Sequence, residues 1–452
     1  MRRNVNMLGG SLYTGIISYT VPVMITGVLQ LLFNAADLII VGRFCGPNFV
    51  GAVGATSAII NLIVNLFIGL SNGTGVTVAH ALGAGDDEDA YRTVHTALPT
   101  ALVSGAALTL VGVFFAEDFL VLMKTPAETL PLSTLYMQIY FGGIVFSMIY
   151  NFCASILRAA GDTRSPLLYL TIAGIINVPL NIFFITVCHM DVDGVALATI
   201  ISQAISAALV VIALMRRTDA CRLYLRKIRF YKNQLLKVIR IGLPAGIQGT
   251  TFSISNVIIQ SSVNSFNSQA ILDGNSAAIS LEGFVLTMMN SFHQAAINFV
   301  GQNVGAHQFK RVRKTFAICL GYVTIVGLVA GVGMWYFGEE LLSLYISSSP
   351  EAIAVGVTRM GFIALPYFVC GLMDVTTGTL RGLGSSFVPM LISIAGVCGI
   401  RIIWIYTIFQ MPAYHTLESL YISYLISWII TFLAELIAFV IIYRRRAKVY
   451  QT

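Results

Sequence analysis

The sequence carries very little charge for its length. Only 10% of its 452 residues are Asp, Glu, Lys or Arg, and 57% are hydrophobic, whereas soluble domains carry roughly 25% charged residues. A soluble fold with so few charges could not cover its surface with polar groups, so lipid must solvate much of the chain. The seven cysteines are scattered without paired spacing, which argues against a disulfide framework and a zinc site.

Two motifs of nucleotide and metal chemistry are missing as well. The chain has neither a GxxxxGK[ST] phosphate loop nor an HExxH metal helix. Its net charge of +7 does not indicate nucleic-acid binding, because the basic residues lie in short loops between apolar stretches. We therefore expect no enzymatic activity, no cofactor and no nucleic-acid partner.

Twelve apolar stretches are each long enough to cross a bilayer, which takes about 20 residues per helix. Backbone polar groups in lipid must be satisfied within a helix or a closed barrel, and barrel strands are shorter and alternate in polarity. The sequence thus predicts an all-α polytopic membrane protein. The predicted spans are 12–42, 51–81, 94–116, 134–157, 166–188, 194–215, 241–265, 276–304, 315–337, 358–380, 387–409 and 418–443.

The basic residues predict the orientation. With both termini cytosolic, all but four of the 27 Lys and Arg residues fall on the cytosolic side of twelve spans; the exceptions are Arg43, Lys124, Arg359 and Arg401. Cytoplasmic loops are enriched in Lys and Arg. This pattern predicts a multi-pass protein of the cell inner (cytoplasmic) membrane with cytosolic termini.

The two halves of the chain repeat each other at a nearly constant offset in the sequence. The recurring pairs are Pro22 and Pro244, Leu82–Ala84 and Val304–Ala306, and Leu157–Gly161 and Leu380–Gly384. A unit of six helices enters the membrane from the same side each time, which predicts two six-helix bundles related by a parallel internal repeat. We expect an N-terminal lobe over 1–215, a basic cytoplasmic connector over 216–240 and a C-terminal lobe over 241–452.

Ionisable residues inside membrane helices are costly and often functional. Apart from Glu418, the first residue of the last span, four acids lie within predicted spans: Asp37, Glu282, Asp374 and Glu435. We expect functional roles for Asp37 and Asp374, and leave Glu282 open between function and structure. Glu435 precedes a basic cluster, so we expect it to snorkel or to form a salt bridge.

Asn177 and Asn181 are four residues apart and share one helix face, and with Pro179 they are expected to break the fifth helix. Their carbonyl oxygens suit sodium, and the Asp37 carboxylate would complete such a site. Interhelical hydrogen bonding is the alternative. Pro22 and Pro179 are the candidate hinges.

Four short motifs, in this order and spacing, resemble the MATE (multidrug and toxic compound extrusion) transporters, in particular the bacterial DinF-like and MepA-like branch. They are Val41–Arg43 closing the first helix, Leu157–Asp162 after the fourth, Gly194–Thr199 opening the sixth, and Leu380–Gly384 after the tenth. The resemblance covers essentially the whole chain. It implies alternating access, in which sodium or protons enter while an organic cation, drug or toxic metabolite leaves.

The resemblance also implies an amino-terminal cation site at Asp37, Asn177, Asn181 and Thr199. A carboxylate often occupies the position of Asn181, so the coupling ion and its stoichiometry stay open. In the C-terminal lobe the resemblance assigns a coupling or substrate role to Asp374.

Family members with a carboxy-terminal ion site also use a seventh-helix glutamate, which this chain lacks; we expect Glu282, on the next helix, to substitute for it. The implied partners are a cationic or amphiphilic small molecule and the lipid bilayer, and the protein is expected to be monomeric. The competing hypothesis is a flippase of the same superfamily for a lipid-linked or oligosaccharide substrate.

Overall fold

The computed structural model describes residues 4–44, 47–123, 125–346 and 349–449. Lys124, one exception in the charge pattern, lies outside them. Regular structure in these ranges is helical, which confirms the all-α class. The α-helices are α1 (Leu12–Phe44), α2 (Pro47–Ala84), α3 (Asp87–Phe114), α4 (Ala116–Leu122), α5 (Leu130–Gly142), α6 (Ile144–Ala159), α7 (Arg164–Thr186), α8 (Val192–Met215), α9 (Lys232–Asn264), α10 (Gln269–Gly305), α11 (Phe309–Tyr336), α12 (Gly338–Ser343), α13 (Pro350–Phe362), α14 (Tyr367–Gly382), α15 (Phe387–Ser393), α16 (Ile400–Tyr406) and α17 (Leu417–Val449).

The predicted spans correspond to these helices in chain order. In the described part of the chain, eight helices or helical stretches are long and apolar enough to cross a membrane. Two pairs, α5 with α6 and α13 with α14, are each long and apolar enough when taken together, and are bent by 46° and 49° where the two helices join. The other two long helices, α9 and α10, have 33 and 37 residues and carry more polar side chains. All twelve predicted stretches therefore have a helical counterpart, and the protein is a multi-pass membrane protein.

Contacts divide the chain into two compact units. The first unit comprises Met1–Asn6 and Ile25–Thr250, and the second comprises Met7–Met24 and Thr251–Thr452. Helices α1 and α9 thus each contribute to both units. The predicted lobes and connector, which assign whole helices to one lobe, stay a prediction.

Within the first unit, glycines bring α2 and α9 into backbone contact. Gly69 and Gly73 on α2 face Gly242 and Gly246 on α9, each pair spaced four residues apart. A Cβ atom on Gly69 would lie 2.2 Å from the Gly246 nitrogen. Small residues at this spacing let membrane helices approach closely.

The internal repeat is visible in the backbone turns. Gly85 and His307, which occupy equivalent positions in the two halves, both adopt left-handed conformations, with φ of 68° and 57°. The equivalent pair Gly161 and Gly384 does the same, with φ of 84° and 79°. The predicted internal repeat is thus visible in the conformation of the turns that follow α2, α6, α10 and α14.

Candidate functional site

A polar cavity of about 110 Å³ lies inside the first unit. It is bounded by α1, α6, α7 and α8. Among the described residues that line it, Asp37 is the one carboxylate, and none is Lys or Arg. The lining residues are Gln30, Phe33, Asn34, Asp37, Ser147, Tyr150, Asn151, Leu170, Ala173, Gly174, Asn177, Thr199, Ser202, Gln203 and Ser206.

Three of the predicted site residues are joined by hydrogen bonds at this cavity. Asn181 Nδ2 donates to Asp37 Oδ1 at 2.6 Å and to Asn177 Oδ1 at 3.1 Å. Asn181 is fully buried, and its Oδ1 atom has no hydrogen-bond partner within the described ranges. The amide therefore links two oxygen atoms through its nitrogen and leaves one buried oxygen unsatisfied, which is costly unless a ligand or a rearrangement satisfies it.

Packing between α1 and α7 places Asp37 beside the two asparagines. Gly174 lies one helical turn before Asn177, and a Cβ atom there would lie 2.0 Å from the Phe33 ring. The Phe33 side chain can therefore lie directly on the α7 backbone. Beyond Asp37, Ile40 and Val41 form a buried apolar cluster with side chains of α7 and α8.

Thr199, the fourth predicted residue, lines the same cavity from α8. Its hydroxyl donates to the Val195 carbonyl oxygen at 3.0 Å, so an oxygen lone pair remains for a ligand. The structure thus brings Asp37, Asn177 and Thr199 to one cavity, with Asn181 directly behind them.

The prediction that the fifth membrane helix is broken is wrong. Helix α7 continues through Pro179 to Thr186, and Pro22 likewise lies within continuous α1. A proline inside a helix removes one backbone donor, but neighbouring segments can satisfy the released carbonyl group in a membrane protein. Hinge roles for Pro22 and Pro179 stay predictions.

In the second unit, Asp374 and Glu282 have different hydrogen-bond partners. Glu282 accepts hydrogen bonds from Arg359 at 3.0 Å and 2.8 Å, and both side chains are buried. No hydrogen bond or ion pair in the described ranges joins Glu282 to Asp374. Both Glu282 oxygens are occupied by a cation of the protein itself, so the structure lends no support to its substitution for the missing acid, which stays a prediction.

Near Asp374, the side chain of His293 on α10 forms hydrogen bonds with two residues of α14. His293 Nδ1 donates to the Asp374 backbone oxygen at 2.6 Å, and its Nε2 accepts from Arg381 at 3.2 Å. A carbonyl oxygen can only accept, which assigns the proton to Nδ1. His293 is therefore a buried structural connection between α10 and α14.

The expectation for Glu435 is wrong. Its carboxylate is fully buried, and it accepts from Thr377 Oγ1 at 2.8 and 2.9 Å and from Ser393 Oγ at 2.8 Å. None of the ion pairs in the described residues includes it. Proximity to the basic cluster in the sequence was misleading, because Glu435 points into the unit while the cluster lies beyond the end of the apolar stretch.

Sequence reasoning also missed most of the polar cavity lining, although the signal was present. Polar residues four apart on one helix share a face, and such pairs occur on three membrane helices in addition to the asparagine pair. They are Gln30 and Asn34, Ser147 and Asn151, and Ser202 and Ser206.

Comparisons with known proteins agree on one family. The MatE family model matches residues 22–183 and 244–407, well over half of the chain, with one match in each half of the internal repeat. The probable multidrug resistance protein YpnP of Bacillus subtilis (strain 168) is 29% identical over 378 residues, which cover 83% of this chain and 84% of that protein.

A second relative and a solved structure extend the similarity. The FAD transporter of Shewanella oneidensis is 24% identical over 358 residues, 78% of each chain. A crystal structure of MATE in the bent conformation superposes with a TM-score of 0.88 at 20% identity, over 99% of this chain and 98% of that one. At that identity the superposition establishes the fold.

Proposed function

The chain belongs to the MatE family of membrane transporters, and from this we propose that it is an ion-coupled antiporter that exports organic cations, drugs or toxic metabolites. Sodium or protons enter in exchange, by alternating access. The proposal places the protein in the cell inner membrane with both termini cytosolic, acting as a monomer. The names of its relatives, which cover multidrug resistance and FAD transport, support export of small molecules.

One observation carries the coupling proposal: the hydrogen-bonded group of Asp37, Asn181 and Asn177 at a cavity whose described lining has a single carboxylate. An isolated carboxylate inside a membrane protein is costly. Binding a proton, a sodium ion or a cationic substrate relieves that cost, and the three compete for the same charge. Competition of this kind is the basis of exchange.

The buried Asn181 oxygen supports sodium as one of the coupling ions. Rotation of the Asn181 amide would exchange its nitrogen and oxygen. The oxygens of Asp37, Asn177 and Asn181, with the Thr199 hydroxyl, would then face one cation, a donor set that suits a hard ion. For a proton, the same amide nitrogen stabilises the ionised Asp37 after release. Both ions remain within the proposal.

The flippase alternative is not favoured by the cavity. A large anionic head group calls for basic side chains, and the described lining contains one acid and no Lys or Arg.

The test is efflux of a fluorescent lipophilic cation from proteoliposomes under a sodium gradient and, separately, a proton gradient. We expect one gradient to drive transport, and Asp37→Asn to abolish the coupling while the protein stays folded. The same assay with Asp374→Asn measures whether coupling also depends on the acid of the second unit. Asp118→Asn, at an exposed acid of α4, is the matched control and should transport normally. Full ion-coupled efflux by Asp37→Asn at normal protein levels would refute the proposal.

A further inference from the structure

Arg401 is a buried arginine that the proposed antiport mechanism does not use. It lies near the start of α16, directly after the π-helical segment Ile394–Gly399, and only 4% of its surface is exposed. π-Helical segments inside longer helices occur frequently at functional sites. A buried cation within a candidate membrane span is expected to have partners.

Arg359, in the same unit, shows how the fold satisfies such a cation. Its Nε and one terminal nitrogen bind the Glu282 carboxylate, and its other terminal nitrogen donates to Asn275 Oδ1 at 2.8 Å. Every nitrogen of this guanidinium has an acceptor, and its charge is neutralised.

Arg401 differs from Arg359 both in its hydrogen bonds and in the neutralisation of its charge. Its Nε donates to Ser427 Oγ at 2.9 Å, and this is its one hydrogen bond among the described residues. No carboxylate in those residues pairs with it. The two terminal nitrogens, which carry four of the five donor N–H groups, are not sealed off from the surface. An acceptor supplied from outside the chain would satisfy these N–H groups.

Aromatic rings hold the guanidinium without supplying that acceptor. Its central carbon lies 4.0 Å from the centroid of the Tyr424 ring and 5.7 Å from that of Trp428. Trp428 in turn packs against Tyr367, with ring centroids 5.3 Å apart. A ring face attracts a cation, but it neither neutralises the charge nor accepts the in-plane N–H groups. The aromatic rings therefore fix the plane of the guanidinium and leave its two terminal nitrogens available to bind a ligand.

We infer that Arg401 is the anchor of an oxyanion site in the second unit, which binds a carboxylate or phosphate group through the two terminal nitrogens. A planar guanidinium matches these groups in a bidentate manner. The oxyanion has two possible sources: a transported compound, which would rest on the proposed function and would make part of the substrate range zwitterionic or anionic, or a lipid head group. Tyr424 and Trp428 offer a stacking surface for an aromatic compound.

Two dyes that differ at one group test the first source. The probes are a rhodamine with a free carboxylate and its methyl ester, and their equilibrium binding is measured by fluorescence anisotropy with full-length protein in phosphatidylcholine nanodiscs. We expect the wild type to prefer the carboxylate dye by about tenfold. Arg401→Gln should remove that preference, and Arg401→Lys, which keeps the charge without the fork, should retain part of it. Binding of the ester reports that each variant is folded.

A second arm tests the lipid source by thermal unfolding in nanodiscs with and without phosphatidylglycerol. If the oxyanion is a head group, the anionic lipid should stabilise the wild type more than Arg401→Gln, and the dye preference should be absent. If neither the dye preference nor the lipid effect depends on Arg401, including when neither dye binds, the inference is refuted. Because binding requires no ion gradient, this result is independent of whether the chain proves to be an antiporter.

Discussion

The resemblance to the MATE transporters implies that a carboxylate often occupies the position of Asn181, and the hydrogen bonds of Asn181 differ from those that a carboxylate would make. As an amide it donates to both neighbouring oxygens, whereas a carboxylate could only accept. A second carboxylate 2.6 Å from Asp37 would repel it, so the pair would have to share a proton or bind a cation. The amide therefore avoids the charge repulsion of a second carboxylate, so the ion-free site is less costly than it would be with two acids.

We predict that Asn181→Asp raises the affinity of the site for sodium by about tenfold or more, because two carboxylates replace one. A ligand that binds only the folded state stabilises it by RT ln(1 + [L]/Kd), so tighter sodium binding gives a larger stabilisation at the same sodium concentration. The measurement is the thermal unfolding midpoint in sodium chloride against choline chloride at equal ionic strength. Asn151→Asp, at another asparagine of the same cavity, is the matched control. Equal sodium dependence in Asn181→Asp and wild type would contradict the prediction.

The Glu282–Arg359 pair gives a second prediction for single residues. Glu282→Gln leaves a buried arginine without its counter-charge, which we expect to destabilise the protein by about 3–5 kcal/mol. The double variant Glu282→Gln with Arg359→Met removes both charges and should recover much of that loss. Unfolding in detergent micelles measures both. Glu339→Gln, an exposed acid, should have no effect; a loss in the single variant no larger than this control would show that the ion pair is not structural.

Sequence reasoning at this scale succeeded where one helix face supplied the signal and failed where a partner was distant. The four-residue spacing of Asn177 and Asn181 fixed their shared face, and intramembrane charge singled out Asp37. The partner of Glu282 lies 77 residues away in the sequence, at Arg359. Nothing local indicates which side of a helix faces such a partner, which is also why the orientation of Glu435 was missed.

At the scale of elements, the repeat could be read from sequence because it depends on backbone conformation. Left-handed turns favour glycine, so Gly161 and Gly384 mark corresponding positions of the two halves in the sequence itself. The bends between α5 and α6 and between α13 and α14 lie at local helix breakers, the Gly142–Gly143 pair and Pro366. Hydropathy alone does not register such breakers, so these spans were predicted as single straight stretches.

The contact between α2 and α9 can be tested by Gly→Ala substitutions. Whether alanine stabilises or destabilises the protein should depend on the space around each glycine. In an open helix position Gly→Ala stabilises by up to about 1 kcal/mol. We expect this at Gly283, where a Cβ atom would meet nothing within 4 Å. At Gly69 the Cβ atom would lie 2.2 Å from a backbone nitrogen, so Gly69→Ala should destabilise by about 1–3 kcal/mol.

The two glycine variants are compared by thermal unfolding in the same detergent, so the helix-propensity gain of alanine is common to both. Opposite signs would confirm that α2 and α9 touch through their backbones. Equal stabilisation in both variants would mean that the helices can separate at no cost.

For the whole molecule, hydropathy predicted twelve spans, and the charge asymmetry supported that count. Helices α9 and α10 carry more polar side chains than the other long helices, and the positive charges alternate correctly only if both cross. The division into units was less predictable. The early part of α1 belongs to the second unit, and a linear sequence gives no reason to divide a continuous helix between two units.

The single carboxylate in the described lining of the first cavity predicts how transport responds to membrane voltage. If Asp37 binds either one monovalent organic cation or one coupling ion, each exchange moves no net charge. A potential acts on net charge by about 2.3 kcal/mol per charge per 100 mV, close to a fiftyfold change in equilibrium. We therefore expect a potassium–valinomycin potential of about 100 mV to change the initial rate of exchange in proteoliposomes less than about twofold.

A strong voltage effect would mean that more than one charge accompanies each exchange. Asp374 would then be the next acid to consider, because none of the hydrogen bonds among described residues uses its carboxylate, whereas both Glu282 oxygens bind Arg359. In that case Asp374→Asn should restore voltage independence, while Glu282→Gln should not. Protein-free liposomes exclude leakage of the dye. Voltage independence in the wild type together with gradient-driven transport would indicate coupling through one charge, and loss of that coupling in Asp37→Asn but not in Asp374→Asn would assign the charge to the first unit.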